Sequence, residues 1–426
     1  MNMSDTRLLS VATLTIAALA ALPAACSSGI TKDRSGPGVS DSSMTAKASG
    51  TTVSPPSAEF MRSRTSLLTT AFTVASQMPM NPHERDRARV QESVVQACLE
   101  LGLLDQAAQF ADQMQGWRQG IVLALLGQRY AVLGQIDKAR EYAARALLVD
   151  VGESTWGKDF VATEVARIYV KLGDEGKAYA TVSPALQVER GRIEAERTAK
   201  LPESQLDAQA DQFDKAIATM NFDLVRGGID GYLAWIDRVV DDAPRRERAL
   251  KALSAAIPGL PWDLQVRCNV QLADVLFAHG YKELASLQLD RAGELFRATV
   301  FLPEDTAPLG VVVVKARIRM GDADAARAEL RRLRAEFEPR AETIENFLRA
   351  ASWRSLAEGY QLLGDTDDVD RCYAAALDAG AINPNARPRA EDLSATCVSM
   401  AVSGFMPPTE LLLRIEHIRA GLADPW

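Results

Sequence analysis

The feature that most constrains the fold is a spacing of small, aromatic and glycine residues that occurs twice with the same intervals. The first copy contains Leu126, Gly127, Tyr130, Gly134, Ala139, Ala143, Ala146 and Leu147, and the second contains Trp353, Leu356, Ala357, Tyr360, Gly364, Val369, Tyr373, Ala376 and Leu377. From about Ala58 onward the apolar residues recur at steps of three and four, and no segment shows sustained strand-like alternation. These residues are therefore predicted to form repeated helical hairpins.

Each position in the spacing has a physical role in such a hairpin. A small residue such as Gly127 or Ala139 lets two helix backbones approach closely. Gly134 and Gly364 are predicted to end the first helix, where glycine adopts a left-handed conformation at least cost. Tyrosines such as Tyr130 fill the space between helices and keep a hydroxyl that can reach a polar partner.

Weaker copies occur in the same register around four other glycines, namely Gly102, Gly173, Gly280 and Gly321. The six glycines are separated by 32, 39, 107, 41 and 43 residues. Residues 188–262, within the longest interval, are predicted to be a degenerate region. It contains two helical patterns at 206–220 and 222–240, with a turn expected at Gly227–Gly228.

The two clear copies resemble the tetratricopeptide repeat, a helical hairpin of about 34 residues. The clearest repeats cover about 120–152, 159–188 and 350–384, and 388–426 is predicted to be a C-terminal cap. This resemblance implies an all-α fold, a right-handed superhelical solenoid of tetratricopeptide-like hairpins across residues 58–426. It also implies that a protein or peptide partner binds in a concave groove without catalysis.

The first 25 residues have the pattern of a signal peptide. Arg7 precedes a run from Leu8 to Ala25 that contains no charged residue. A membrane-spanning helix is the weaker interpretation, because polar residues and Pro23 interrupt a run shorter than roughly 20 residues. The segment before Cys26 resembles the lipobox of bacterial lipoproteins, which implies that Cys26 carries the lipid. Pro23 replaces the leucine that this motif favours, so ordinary cleavage after Ala18-Leu19-Ala20 is the alternative.

Residues 26–57 are predicted to be the lipidated cysteine followed by a disordered tether. Ser, Thr, Gly and Pro make up 20 of the 31 residues from 27 to 57, and none is aromatic. Burial therefore cannot offset the entropy of ordering this segment. The expected location is the cell envelope, with the protein anchored by lipid to a membrane. Ser27 after the cysteine favours the outer membrane, facing the periplasm, by analogy with Gram-negative lipoproteins.

The charge balance disfavours nucleic acid as a partner. The formal net charge is −8 and the pI about 5.2, so the chain repels a polyphosphate backbone. The densest basic cluster, around Arg331, is surrounded by glutamates and is interpreted as a solvated helix face.

No catalytic residue, metal ligand or cofactor motif is predicted. The chain contains no glycine-rich phosphate loop, no Gly-x-Ser-x-Gly elbow, no His-Glu-x-x-His and no closely spaced cysteine pair. Cys268 and His279 lie on one predicted helix but roughly 16 Å apart, too far to share a metal. Cys372 and Cys397 are either buried free thiols or the one plausible disulfide.

The candidate binding groove is a set of polar residues on the first helix of each hairpin that do not fit the packing positions. These residues are Glu92, Gln96, Gln128, Thr163, Arg167, Asp274, Arg354 and Glu358. Their mixed charges favour a partner with alternating charges or one bound through apolar contacts. The alternative function is a glycan-binding outer-membrane lipoprotein with tetratricopeptide-like helices. It would need aromatic platforms, and four tryptophans have no packing role in the repeat: Trp117, Trp156, Trp235 and Trp262.

Overall fold

The computed structural model describes residues 57–152, 154–182, 187–219 and 221–426. Over these residues the chain forms nineteen α-helices and no strand, so the predicted all-α class is confirmed. Residues Pro56–Trp426 form one compact unit. The predicted signal peptide, the predicted lipid attachment at Cys26 and the predicted tether before Ser57 lie outside the described residues.

The helices follow one another with short connections. The first ten are α1 (Ala58–Gln77), α2 (Met80–Glu100), α3 (Leu104–Ala111), α4 (Trp117–Val132), α5 (Ile136–Leu147), α6 (Thr155–Lys171), α7 (Glu175–Thr181), α8 (Gln187–Thr198), α9 (Glu203–Ala218) and α10 (Phe222–Val239). The others are α11 (Ala243–Ala256), α12 (Trp262–Ala278), α13 (Lys282–Ala298), α14 (Pro303–Arg319), α15 (Ala323–Phe337), α16 (Asn346–Leu363), α17 (Thr366–Ala381), α18 (Ala386–Ser403) and α19 (Thr409–Ala420). Two 3₁₀ segments, Ile257–Gly259 and Glu338–Thr343, follow α11 and α15.

Each predicted glycine ends a helix in the left-handed conformation. Gly134, with a φ of 72°, follows α4 and donates its backbone N–H to Ala131, while the next N–H, of Gln135, donates to Tyr130. This pair of bonds is the Schellman motif, which satisfies carbonyls that the helix end leaves open. The same geometry occurs at all six predicted glycines and at a seventh, Gly404.

The predicted packing register is also confirmed. The residue five positions after each of the six glycines is completely buried: Ala107, Ala139, Ala178, Ala285, Ala326 and Val369. On the first helix, Gly127 lies where a Cβ atom would be 2.6 Å from Ile168 and 3.2 Å from the carbonyl oxygen of Ala139. Small residues are therefore required at Gly127 and at Ala139, because the two helices nearly touch there.

The helices are arranged in two layers. The nine even-numbered helices from α2 to α18 each pack against the next one in that series, and we call them the inner layer. The odd-numbered helices pack mainly against the even-numbered helices beside them and form the outer layer. Since short turns make successive helices antiparallel, the inner helices all run in one direction. Their first residues consequently lie along one side, which we call the N-terminal edge.

The inner layer closes on itself. α18 packs against α2, the first inner helix, and extensively against α1. The hydroxyl of Ser394 donates to the carbonyl oxygen of Ala71 at 3.1 Å, and Arg89 pairs with Glu391 at 3.0 Å. α1 thus occupies the position of the outer helix that follows α18. The segment predicted as a terminal cap, 388–426, therefore includes residues that contact the beginning of the folded unit.

The degenerate region folds into regular helices with one departure from expectation. α9 and α10 match the predicted segments, but α10 continues through Gly227 and Gly228, so the turn predicted there is wrong. These glycines serve close helix contact instead. A Cβ atom on Gly191 of α8 would lie 2.6 Å from the Cα of Gly227, and one on Gly228 would lie 2.9 Å from Ile217 of α9.

Candidate binding surface

All eight predicted groove residues lie on inner-layer helices, namely α2, α4, α6, α12 and α16. None is fully exposed: Gln128 and Thr163 are buried, and the other six are half-buried. Thr163 donates its hydroxyl to the carbonyl oxygen of Asp159 in its own helix and is 1% exposed. It therefore does not line an accessible surface.

The first group of these residues joins α2 to α4 and α4 to α6. Glu92 of α2 accepts hydrogen bonds from Arg118 of α4 and from Gln96 at 3.1 Å. Gln128 of α4 donates to the carboxylate of Glu164 of α6 at 2.7 Å. The sequence pattern predicts that these residues lie outside the packing positions. In the structure they hold neighbouring inner helices together.

Ion pairs continue from α6 to α8. Arg167 contacts Glu164 at 3.1 Å on its own helix and also pairs with Glu196 of α8. Lys171 pairs with the same Glu196 at 2.7 Å. These ion pairs add to a small buried apolar cluster that includes Val170 of α6 and Ile193 of α8.

The second group lies on the C-terminal half of the inner layer. Asp274 of α12 pairs with Arg319 of α14 at 2.6 Å. Glu358 of α16 pairs with Lys315 of α14 at 2.6 Å and accepts a hydrogen bond from Ser399 of α18 at 2.7 Å. A third pair joins Arg354 of α16 to Asp392 of α18 at 3.0 Å.

The pKa values of two inner carboxyls follow from these surroundings. Desolvation and the nearby charge of Glu164 raise the pKa of Glu92, against the opposing effect of Arg118. Glu196 behaves in the opposite way. Desolvation acts to raise the pKa of Glu196, but the two cations Arg167 and Lys171 hold it below its ordinary value.

Sequence reasoning missed Glu100, the last residue of α2. Its side chain is exposed and forms no ion pair among the described residues. Desolvation by the surrounding protein and the charge of Glu358 nevertheless raise its pKa, while Lys315 lowers it. Lys315 and Glu358 belong to α14 and α16, which are not adjacent to α2 in the inner layer, yet their charges act on this carboxyl. A carboxylate at a helix end gives no such signal in the sequence.

The four tryptophans without a predicted packing role have different environments. Trp235 is completely buried, Trp117 is half-buried, and Trp156 and Trp262 are 46% and 55% exposed. Trp117 and Trp156 meet edge to face with ring centroids 5.0 Å apart, and Arg118 stacks on Trp117 at 4.3 Å. This pair is an exposed aromatic platform at the N-terminal edge of α4 and α6.

The four cysteines among the described residues have the same chemical state. Cys98, Cys268, Cys372 and Cys397 are all free thiols, so the disulfide considered for Cys372 and Cys397 is not formed. Desolvation by burial raises the pKa of each to about 12, which leaves the thiol protonated at neutral pH. Within the described ranges, no group of His, Cys, Asp and Glu side chains is placed to hold a metal ion.

Among the helices of the described residues, none is both long enough and apolar enough to cross a membrane. No protein-family model matches the chain, and no curated protein matches its sequence.

Proposed function

We propose that this protein is a lipid-anchored scaffold that holds a protein or peptide partner against its inner layer, without catalysing a reaction. In this proposal the body is a tetratricopeptide-like right-handed superhelix of hairpins whose ends meet. The supporting observation for the repeat is the Schellman turn at six predicted glycines, each followed five positions later by a completely buried alanine or, once, valine. This register is what the tetratricopeptide pattern requires.

The observation that carries the binding proposal is the position of Glu100. It is an exposed carboxylate at the end of α2 that forms no ion pair among the described residues, and the charges of Lys315 and Glu358, which pair with each other, act on it. An exposed charge held by a rigid helix layer is available to a partner at little entropic cost. The ion-paired residues of the inner layer hold positive and negative side chains in fixed positions, which suits a peptide that also carries positive and negative residues.

Capture of partners from detergent-solubilised cell envelopes tests this function. We expect a captured protein to be lost with Glu100→Lys, because the substitution replaces an exposed carboxylate by a cation. Arg331→Glu is the matched control, since Arg331 is an exposed residue of the outer helix α15. A partner retained by Glu100→Lys and lost with Arg331→Glu would place binding on the outer layer and contradict the proposal.

The anchor belongs to the same proposal and rests on the lipobox-like segment before Cys26. We propose that the protein resides in the cell envelope, tethered to the outer membrane and facing the periplasm. Cys26→Ser is expected to move the chain from the membrane fraction to the soluble exported fraction with unchanged helical circular dichroism. If the variant stays in the membrane fraction to the same extent, the lipid anchor is wrong even if partner capture succeeds.

A second candidate, glycan binding, is favoured by the exposed Trp117–Trp156 pair, because aromatic faces stack on sugar rings. Intrinsic tryptophan fluorescence titrated with soluble glycans would detect it. We expect no saturable change if the scaffold proposal holds. A saturable change that disappears in Trp156→Ala would favour the glycan-binding function instead.

A further inference from the structure

At the N-terminal edge, six of the inner helices have a large apolar residue with a described side chain at or next to their first position. They are Met80 of α2, Trp117 of α4, Trp156 of α6, Trp262 of α12, Leu302 before α14 and Phe347 of α16, and all except Trp117 are exposed. Helix starts ordinarily carry a polar capping side chain. The residues that precede or cap α2, α12, α14 and α16 provide no side-chain cap hydrogen bond.

The exposed residues are densest on three consecutive inner helices. Trp262, Leu302 and Phe347 are 55%, 59% and 56% exposed, and Val300 before α14 is 98% exposed. Ser352 of α16 donates to the carbonyl oxygen of Glu304 at 3.2 Å, which holds the starts of α14 and α16 together. We call Trp262, Val300, Leu302 and Phe347 the edge patch. Exposed apolar residues grouped at neighbouring helix starts favour a binding surface.

Acidic residues surround the edge patch. Asp263, Glu304, Asp305 and Glu345 lie at the same helix starts, and none of their carboxylates forms an ion pair among the described residues. Desolvation and the neighbouring Glu304 and Asp263 raise the pKa of Asp305, against the effect of Arg267. The helix macrodipole stabilises carboxylates at helix starts, which is sufficient to explain the acidic residues. It does not explain the exposed Trp262 and Phe347 beside them.

We propose that the edge patch docks a cationic amphipathic segment of a partner protein. Apolar side chains of that segment would cover Trp262, Leu302 and Phe347, and its lysines or arginines would pair with the surrounding carboxylates. This inference deepens and rests on the proposed scaffold function, and it assigns part of the contact to the N-terminal edge. Unpaired acids around an apolar centre are the complement of a basic amphipathic helix.

The charge of the patch disfavours two other occupants. A symmetric dimer through the edge patch would bring Asp263 and Asp305 close to the same residues of the second copy, since both partners use one surface. A membrane surface with anionic lipids would be repelled by the same carboxylates. A cationic protein segment is the occupant for which both the apolar and the charged residues of the patch are favourable.

A pair of synthetic peptides tests the docking chemistry. The first is a labelled peptide of roughly 18 residues with leucines at helical spacing and lysines elsewhere, and the second replaces lysine by glutamate. Fluorescence anisotropy is measured with the full chain carrying Cys26→Ser, so that no lipid contributes. We expect the lysine peptide to bind at least roughly ten-fold more tightly than the glutamate peptide, with an advantage that falls as salt increases.

Variants then place the contact. Trp262→Ala, and separately Asp263→Asn with Asp305→Asn, should each weaken binding of the lysine peptide by roughly five-fold or more. Trp156→Ala is the matched control, because Trp156 is a similarly exposed tryptophan of the same edge on α6. It should change the affinity by less than about two-fold. Circular dichroism of each variant establishes that the helices are intact.

Several results would overturn the inference. Equal binding of both peptides, or equal effects of Trp262→Ala and Trp156→Ala, would remove the assignment to the edge patch. Loss of binding with Glu100→Lys but not with Trp262→Ala would leave the scaffold proposal standing and reject the patch. Sedimentation of the chain with phosphatidylglycerol vesicles, or a dimer abolished by Trp262→Ala, would identify a lipid surface or a second copy as the occupant.

Discussion

The hydroxyl of Ser394 in α18 donates a hydrogen bond of 3.1 Å to the carbonyl oxygen of Ala71 in α1, although 323 residues separate them in the chain. Leu67, Leu68, Ala71 and Phe72 are buried on the same helix. The first described helix thus completes the packing of the last inner helix. The two ends of the folded unit therefore stabilise each other through α1 and α18.

Leu68→Ala tests this closure. Leu68 is completely buried, so the substitution should cost about 2–5 kcal/mol of unfolding free energy through lost burial and the cavity that remains. Leu413→Ala, on α19 and 67% exposed, is the same substitution outside the core and should change stability by no more than about 0.5 kcal/mol. Urea denaturation measures both. Equal effects of the two substitutions would show that α1 is not docked.

Ala139→Leu tests the close approach of helices within a hairpin. Ala139 of α5 is completely buried, so three added carbon atoms must displace its neighbours at a cost of about 1–3 kcal/mol. Ala144, on the same helix, is exposed, and Ala144→Leu should leave the melting temperature nearly unchanged. Ala357→Leu on α16 should behave like Ala139→Leu. Unchanged stability in both buried variants would mean that the hairpin register is wrong.

The hairpins could be predicted because their determinants are local. A left-handed glycine such as Gly134 and a small residue five positions later are fixed by one turn and two adjacent helices, so their spacing is visible in the sequence. The closure could not be predicted. Its partners, α1 and α18, each have an ordinary amphipathic pattern, and no local feature identifies which distant helix covers an apolar face.

Gly227 and Gly228 show how a local rule can fail. A glycine pair inside a helical pattern favours a turn, yet here close contact with α8 and α9 keeps the helix intact. Gly191→Ala tests this interpretation, because the new Cβ would be 2.6 Å from the Cα of Gly227, where backbone cannot move aside. We expect a loss of about 1–3 kcal/mol.

Gly176→Ala is the control for that substitution. Gly176 of α7 is exposed and has open space around the Cβ position. Alanine there should leave stability unchanged or raise it by up to about 1 kcal/mol, because it favours the helix. Thermal denaturation followed by circular dichroism compares the two. A neutral Gly191→Ala would indicate that α8 and α10 are further apart than the structure shows.

The sequence predicts on which helices the candidate residues lie, but it does not predict their contacts. The hairpin register places all eight predicted residues on the inner layer. It cannot show that Gln128 reaches Glu164 or that Arg167 reaches Glu196, because such partners lie on neighbouring hairpins and depend on side-chain rotamers. A charged residue outside the packing positions can therefore belong to a structural ion pair and is not by itself evidence of a ligand contact.

Acid titration tests the ion pairs between α6 and α8. The pKa of Glu196 is lowered in the folded protein by Arg167 and Lys171, so its stabilising effect is present above the ordinary value of 4.5 and is lost as the pH falls through the folded pKa. Glu196→Gln should cost about 1–3 kcal/mol at pH 7, because two cations lose their partner. The difference from the unmodified chain should shrink below pH 4.5. A difference independent of pH would attribute the loss to packing.

Arg354→Glu is predicted to act on folding before it acts on any partner. Arg354 pairs at 3.0 Å with Asp392, whose side chain is only 8% exposed, and desolvation raises the pKa of that carboxyl despite the arginine. Reversing the charge leaves two carboxylates together in a poorly hydrated place, which should cost about 3 kcal/mol or more at pH 7 and less in acid, where Asp392 is protonated.

Arg331→Glu, on an exposed outer position, should stay within about 0.5 kcal/mol. Urea denaturation at pH 5 and pH 8 distinguishes the two arginines. If Arg354→Glu proved as stable as Arg331→Glu, the pair with Asp392 would not be structural, and Arg354 would be free to contact a partner directly.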